Sequence, residues 1–343
     1  GQFIPVTTPV PPATVVNASA QRRTNTASFL DLIPESERKS ASANLNYKIN
    51  DRFDAYTSLR TTDSETSTNA QLSANSITGG FGTPAVSLAA NNPFNQNVQV
   101  GMILFEFGPE SQRVRTLADA ASAGLRGLIG QSWQFDSAVS WQNQKTRQRT
   151  RIYNSGGFAN LLNHPDPAQR FNPFIDYRAP GAPSQAALLE TLALYPYLGT
   201  ESTVVGVDFA ADGELFDLWG GTAKMAFGAS TSNAEVESNS VTYSLSATLV
   251  TTIANLTAEQ RTNAVFSEFA LPLVGKPNPL PFVRRLDVQL AGRYEEIGTF
   301  SKFVPKVGLF WSPADEWLVR ASWSEGFRAP GVTEYLVAPS SIT

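Results

Sequence analysis

The sequence predicts an all-β fold, an antiparallel transmembrane β-barrel wall of about ten strands with long extracellular loops. Three observations carry the prediction. Apolar and polar residues alternate one by one in stretch after stretch. The connectors between these stretches come in two sizes that take turns along the chain. Aromatic residues stand at the ends of the apolar stripes.

The elements follow in order. Arg38 to Ile49 sets Ala41, Ala43, Leu45, Tyr47 and Ile49 against Ser40, Ser42, Asn44, Asn46 and Lys48. Trp133 to Trp141 groups Trp133, Phe135, Val139 and Trp141 opposite Gln134, Asp136, Ala138, Ser140 and Gln142. Ala223 to Ala229 places Ala223, Met225, Phe227 and Ala229 on one side. Leu286 to Tyr294 opposes Leu286, Val288, Leu290 and Tyr294 to Asp287, Gln289, Arg293 and then Glu295. Val307, Leu309 and Trp311 oppose Gly308 and Phe310; Trp317, Val319, Ala321 and Trp323 oppose Leu318, Arg320, Ser322 and Ser324. A period of two marks strands with one apolar and one polar face. Gly326 to Gly331 cannot continue the last of them, because Pro330 cannot donate to a ladder.

The tight connectors are Asn50-Asp51, Ile129-Gly130-Gln131 and Ser312-Pro313-Ala314-Asp315, built from residues that make short turns. The long ones are Thr61 to Glu110, Asn143 to Ser202 and Thr231 to Glu259. Gly298 to Lys302 is a short connector in a long-loop position. Within the second long connector, Ser184 to Tyr195 spaces Leu188, Leu189, Leu192 and Tyr195 for one face of a short loop helix near 184–195. Long structureless loops are uncommon in soluble domains and normal on the outer side of membrane barrels.

Composition fits. Of 343 residues, 42% are hydrophobic and 16% charged, against about 25% charged in typical soluble domains. No apolar run nears the roughly 20 residues of a membrane-spanning helix. The net charge of −4 gives no basic surface for nucleic acid. The absence of cysteine excludes disulfides and thiolate metal sites, and a site needing histidine could use only His164. No catalytic, metal or cofactor-binding constellation emerges, so no enzyme and no cofactor is expected. Glu295 and Glu296 are adjacent on a strand and address opposite faces. A soluble β-sandwich would alternate too; aromatic stripe ends, a charged opposite face and side-segregated loop lengths favour the membrane.

One stretch resembles a known family. Pro305-Lys306-Val307-Gly308-Leu309-Phe310-Trp311-Ser312-Pro313, then Leu318-Val319-Arg320-Ala321-Ser322-Trp323-Ser324-Glu325-Gly326-Phe327-Arg328-Ala329-Pro330, closely resembles the mid-barrel signature of TonB-dependent outer-membrane receptors. Asn92-Pro93-Phe94-Asn95, Ile33 to Arg38 and Ala264 to Leu273 are similar to further family fragments, so the likeness runs from about residue 30 to the end. The family barrel has about 22 strands, and the signature lies midway round it. The resemblance thus implies a barrel section that is strongly curved and not closed, without the plug domain and coupling box of the family. Residues 1–343 are expected to form one partial barrel domain in the outer membrane of a Gram-negative bacterium. The implied function is energy-coupled uptake of a scarce nutrient such as an iron-siderophore, cobalamin or saccharide. The implied partners are outer-membrane lipid, an extracellular nutrient, a plug domain and the inner-membrane TonB complex. A passive porin-like channel, or a soluble secreted β-protein that binds carbohydrate, are the alternatives.

The residues expected to matter follow from parity. Trp133, Trp141, Tyr294, Trp311, Trp317 and Trp323 form a lipid-facing aromatic girdle, and the tryptophans lie on the convex face. Arg293, Arg320, Glu325 and Arg328 face the lumen, where the resemblance puts a plug. Phe81, Phe94, Phe171, Phe174 and Tyr177 are loop aromatics placed for ligand contact or for packing the loops.

Overall fold

The computed structural model describes residues 29–72, 74–75, 85–86, 98–99, 102–173, 175, 180–244, 254–332 and 334. Ten strands form one antiparallel sheet: β1 (Glu35–Lys48), β2 (Phe53–Leu72), β7 (Pro109–Ile129), β8 (Trp133–Tyr153), β9 (Ala193–Leu218), β10 (Gly221–Ser244), β11 (Ala254–Val274), β12 (Arg285–Ile297), β13 (Phe300–Ser312) and β14 (Val319–Ser324). Neighbours in sequence are neighbours in the sheet, and β1 and β14 form its two edges. Four two-residue strands, β3 (Ala74–Asn75) with β6 (Met102–Ile103) and β4 (Ala85–Val86) with β5 (Val98–Gln99), decorate the first long connector.

The two connector sizes lie at opposite ends. Short turns join β1 to β2, β7 to β8, β9 to β10 and β13 to β14, and a ten-residue link joins β11 to β12. At the first turn the Asn50 carboxamide oxygen accepts from the backbone N–H groups of Arg52 and Phe53, the Asx geometry that closes tight turns. The other end carries the long connectors and the hairpin at Gly298-Thr299. Gly298 has φ +58°, which two-residue hairpins need at their first central position. Phe300 is already in β13, so this connector is shorter than Gly298 to Lys302.

The strands are longer than the alternation predicts. β2, β7, β8, β9, β10 and β11 run for 20 to 26 residues, where about 9–11 cross a bilayer. Each of the three predicted long loops loses its flanks to strand. β2 continues to Leu72, β8 to Tyr153, and β10 to Ser244. In these extensions both faces are polar, so no period-two hydrophobic contrast exists to read. Cross-strand ion pairs replace it: Arg115 with Asp63 at 2.7 Å, Lys145 with Glu201 at 2.9 Å, and Arg113 with Glu65.

The sheet is two-faced and curled. Register puts Tyr56, Gly124, Ala138, Asp208, Ser230, Ala264, Glu295 and Lys302 in one row across eight strands. This is the polar parity. The other parity carries Leu45, Leu59, Leu125, Val139, Val207, Val265, Leu290 and Leu309, all strongly exposed. A cavity of about 590 Å³ is lined by polar-parity residues of six strands, among them Arg38, Arg60, Ala118, Gln142, Ser202 and Val236, and by Val332 beyond β14. In a flat sheet β14 would lie eight strand spacings, about 38 Å, from β2. The chain from Ser324 to Val332 reaches at most about 29 Å. The sheet therefore curls toward its polar face, and the apolar face is convex. Gln260 Nε2 donates to the Pro330 carbonyl at 2.8 Å, holding the segment after β14 across the concave side.

A close approach on the concave face tests this arrangement. The Tyr56 hydroxyl donates to Asp136 at 2.6 Å by lying over Gly124. A Cβ at Gly124 would come within 2.4 Å of the Tyr56 ring and 2.6 Å of the Ser137 carbonyl. Gly124→Ala is expected to destabilise the protein by about 1–3 kcal/mol in denaturant unfolding. Adding Tyr56→Ala should restore only part of the loss, because the Ser137 backbone remains.

Candidate functional site

The convex face reads as a belt from the turn end upward. Phe53, Phe135, Phe209, Phe227 and Trp133 form a chain of ring contacts with centroids 5.8–6.4 Å apart. Aliphatic residues follow, then Trp141 and Tyr294, which are 41% and 46% exposed. Trp311 lies at the turn end, its indole N–H donating to the Phe282 carbonyl at 3.0 Å, and Trp323 pairs with Val307. Trp133, Trp141, Tyr294, Trp311 and Trp323 thus share the apolar parity. Trp317 does not belong to a strand. The register Trp311↔Val319 would pair Trp317 with Pro313, which has no N–H, so β14 starts two residues later. Alternation alone could not see this, because the partner of Trp317 is fixed by the turn.

The concave wall gathers the predicted charges locally. Arg293 pairs with Glu295 on its own strand and, with Phe266, Glu268 and Lys306, borders a recess of about 300 Å³. Glu296 points to the other face, where Asn263 donates to it at 3.3 Å. Arg320 stacks over Phe310 with its guanidinium 5.7 Å from the ring centre. Glu325 pairs with Lys302 at 3.2 Å. Arg328 pairs with Glu334, which also accepts from the Gly331 N–H at 2.7 Å. That backbone bond, then the guanidinium, hold the Glu334 carboxyl below its ordinary range. The structure does not bring these four residues into one cluster.

The loop end holds a separate packed cap. Its core is Leu104, Phe107, Phe158, Leu161, Leu162, Phe171, Leu189 and Leu192 with Ala193, flanked by Tyr153 and Tyr195. Helix α1 (Ser155–Leu162) starts where the Asn154 carboxamide accepts from the Gly156 N–H at 3.2 Å, a standard N-cap. The loop-like composition around it predicts no helix there, although Phe158, Leu161 and Leu162 carry helical spacing. The predicted helix at 184–195 is only α2 (Ala186–Glu190). Its successor residues turn into β9 at Ala193 because the ladder with β8 claims them, Ala193 pairing with Tyr153.

Polar clamps fasten the cap. Glu106 accepts from Ser184 Oγ at 2.7 Å and from the Gln185 N–H at 3.1 Å. The Gln185 carboxamide exchanges hydrogen bonds with the Asn172 backbone at 2.6 and 2.9 Å. Arg151 lies 3.9 Å over the Phe107 ring and pairs with Glu190, which also accepts from the Tyr195 hydroxyl. These partners stand up to 79 positions apart in sequence, so no local pattern reveals them. Burial alone would raise the Glu190 carboxyl; the bonds from Arg151 and Tyr195 outweigh it and hold the group below its ordinary range.

A cavity of about 680 Å³ opens in this cap, with Asn154, Asn160, His164, Gln169, Thr191 and Ser244 around Leu161, Leu188 and Leu192. His164 is a loop residue whose ring accepts from the Asp166 N–H at 3.2 Å. Phe171 is buried in the cap core and packs the loop. Phe81, Phe94, Phe174 and Tyr177 lie outside the described residues. Among the described residues no group of His, Asp or Glu has the arrangement of a metal site, and no helix is long and apolar enough to cross a membrane.

Residues 91–341 match the family described as TonB-dependent receptor-like β-barrel. The chain belongs to that family. No curated protein matches it. Among solved structures it is similar to the RagAB peptide transporter, at 11% identity and TM-score 0.48, over 81% of this chain and 30% of that one. It is also similar to FpvA of P. aeruginosa, at 13% identity and TM-score 0.45, over 84% and 35%. The ferric-catecholate import receptor Fiu of E. coli K12 follows at 11% and 0.36, over 85% and 46%. The chain spans between about a third and a half of the length of these proteins.

Two expectations follow for the cap. Phe158→Ala, at a fully buried position, should cost about 3–5 kcal/mol of local stability. Limited proteolysis should then nick residues 154–192 while amide exchange in the belt stays slow. Glu190 has a depressed folded pKa, so its contribution is present above the unfolded value and lost as pH falls through the folded one. Amide exchange at residues 186–195 should therefore accelerate only below the ordinary glutamate range, and Glu190→Gln should remove that pH dependence.

Proposed function

We propose that this chain forms part of the wall of an outer-membrane TonB-dependent receptor that takes up a scarce nutrient. The observation that carries the reading is the division of one curled sheet into an apolar convex belt and a polar concave face. Turns lie at one end and a packed, pocketed cap at the other. Membership of the receptor family supports it. On this reading the convex Trp133, Trp141, Tyr294, Trp311 and Trp323 anchor the belt at the bilayer interfaces. Trp317 sits in the turn at one interface. The concave face lines the conduit of one partial barrel domain spanning residues 1–343.

The open edges at β1 and β14 support a larger barrel, since a lipid-exposed sheet edge leaves backbone groups unpaired. Arg293, Arg320, Glu325 and Arg328 would then face a plug domain, and the inner-membrane TonB complex would supply the energy. The cap would meet the nutrient from outside the cell. The nutrient on this reading is of the kind such receptors carry, such as an iron-siderophore, cobalamin or a saccharide.

Parity gives a direct test. Val139 is on the convex face and 54% exposed; its neighbour Ser140 is on the concave one. Val139→Arg is expected to cost up to about 2–4 kcal/mol in the bilayer and to deplete the protein from the detergent-insoluble outer-membrane fraction. Ser140→Arg should fractionate as the wild type does. Equal behaviour of the two variants, or release of the wild type without detergent, would sink the membrane reading.

A further inference from the structure

Toward the cap, the concave face carries two arginines and almost nothing to neutralise them. Arg38 and Arg60 have the polar parity, are exposed, and border the cavity of about 590 Å³. Register pairs Arg38 with Ser64 and Arg60 with Ser42, which sets the two arginines about 13 Å apart along the strands. Neither has an ion pair or hydrogen bond among the described residues. From the row of Arg60 up to the cap, the described polar-parity positions of β1, β2 and β7 to β11 otherwise hold uncharged residues, with Glu110 as the one carboxylate. Glu110 accepts from the Tyr153 N–H, and it stands about 20 Å along β7 from the Arg38 row. Asp31, near the same end, is tied to Asn69. Below, Asp54, Asp136 and Asp208 lie about 13–20 Å beneath the Arg60 row, beyond a screening length of about 10 Å. Across the lumen Glu325 pairs with Lys302, and Glu334 with Arg328. Asp119 also borders the cavity but has the convex parity, in the row of Thr61 and Asn143. The convex face differs: Arg113 stands opposite Arg149 there, and Glu65, Glu201 and Glu237 share that face.

We propose that Arg38 and Arg60 hold the acidic groups of an anionic saccharide at the outer end of the conduit. The inference rests on the uptake reading above and names the substrate class for it. Arg60 follows Leu59, whose row runs through Ala121 to Trp141. The cavity thus begins near the upper edge of the belt and extends toward the cap. A guanidinium fork matches a carboxylate bidentately, and two forks on one cavity favour a ligand with more than one acidic group. Thr62, Gln142, Gln144, Thr200 and Ser202 line the space around them. Thr62 donates to Ser40 at 3.3 Å. The other four side chains have no hydrogen bond among the described residues. Free carboxamides and hydroxyls both donate and accept, as the hydroxyl groups of a sugar require. The described lining holds no aromatic ring, so it presents no flat face to the rings of a catecholate siderophore or to a corrin. Its volume of about 590 Å³ falls within the size of small-molecule sites.

The test uses receptor extracted from outer membranes in detergent and measures binding of trigalacturonate, of its uncharged methyl ester, and of cyanocobalamin. Wild-type protein is expected to bind the acid at least about tenfold more tightly than the ester, with a difference that shrinks as salt rises. Arg38→Gln with Arg60→Gln should weaken binding of the acid at least about tenfold, leave the ester unchanged, and leave outer-membrane fractionation unchanged. If that double variant does not fold, Arg38→Lys with Arg60→Lys replaces it. The lysines keep the charge and lose the fork, so this variant should bind the acid more weakly than wild type yet still prefer it to the ester. Equal binding of acid and ester by the wild type, equal binding of the acid by wild type and variant, tighter binding of cyanocobalamin, or no binding of the acid overturns the proposal. Failure of the wild type to fractionate with the outer membrane would instead overturn the membrane reading.

Discussion

The inter-strand hydrogen-bond ladder is the constraint on which the rest depends. In hydrocarbon no water can satisfy a backbone N–H or carbonyl, so a segment crosses only when its neighbours pair it along its length. Short turns make each strand antiparallel to the next, and turn geometry together with the two-faced pattern fixes the register. Register in turn decides which side chains share a face, because a slip of one residue would exchange belt and lumen. The pairing of Trp311 with Val319 is an example: it decides where β14 begins and leaves Trp317 in a turn.

The same ladder continues above the belt under different chemistry. There charged side chains replace aliphatic ones on the convex face. Ion pairs such as Arg115 with Asp63 are exposed and individually worth little. What holds the extensions is the backbone pairing, capped by the buried core around Phe158 and Phe171. The cap thus makes a packed rim of segments that composition alone reads as loop, and it holds a cavity of about 680 Å³ at the end away from the short turns.

The concave face follows another logic. Its charges are paired near home, as Arg293 with Glu295 and Glu325 with Lys302. Between them lie small residues, Gly124 and Ala138 in one row, that let longer side chains such as Tyr56 cross the wall to reach Asp136. The segment from Glu325 to Val332 enters the same space, tied by Gln260. A wall of this kind is lined, not filled.

By itself the sequence determined the class of fold, the approximate number of strands and the parity of the six stretches that alternate clearly. It did so because period-two alternation is a local property, readable at Trp133 to Trp141 without knowing any partner. It also determined the tight turns, through Asn50 and Gly298, and the family, through the dense motif ending at Pro330. Only the tertiary structure decided where strands end, since in the extensions beyond Trp141 both faces are polar and pairing alone sets the length. Only it decided the cap, whose core joins Leu104, Phe158 and Leu189 across long sequence separations. And only register across β7 and β8 could set arginine against arginine, because opposition is a relation between two strands that neither strand's sequence contains.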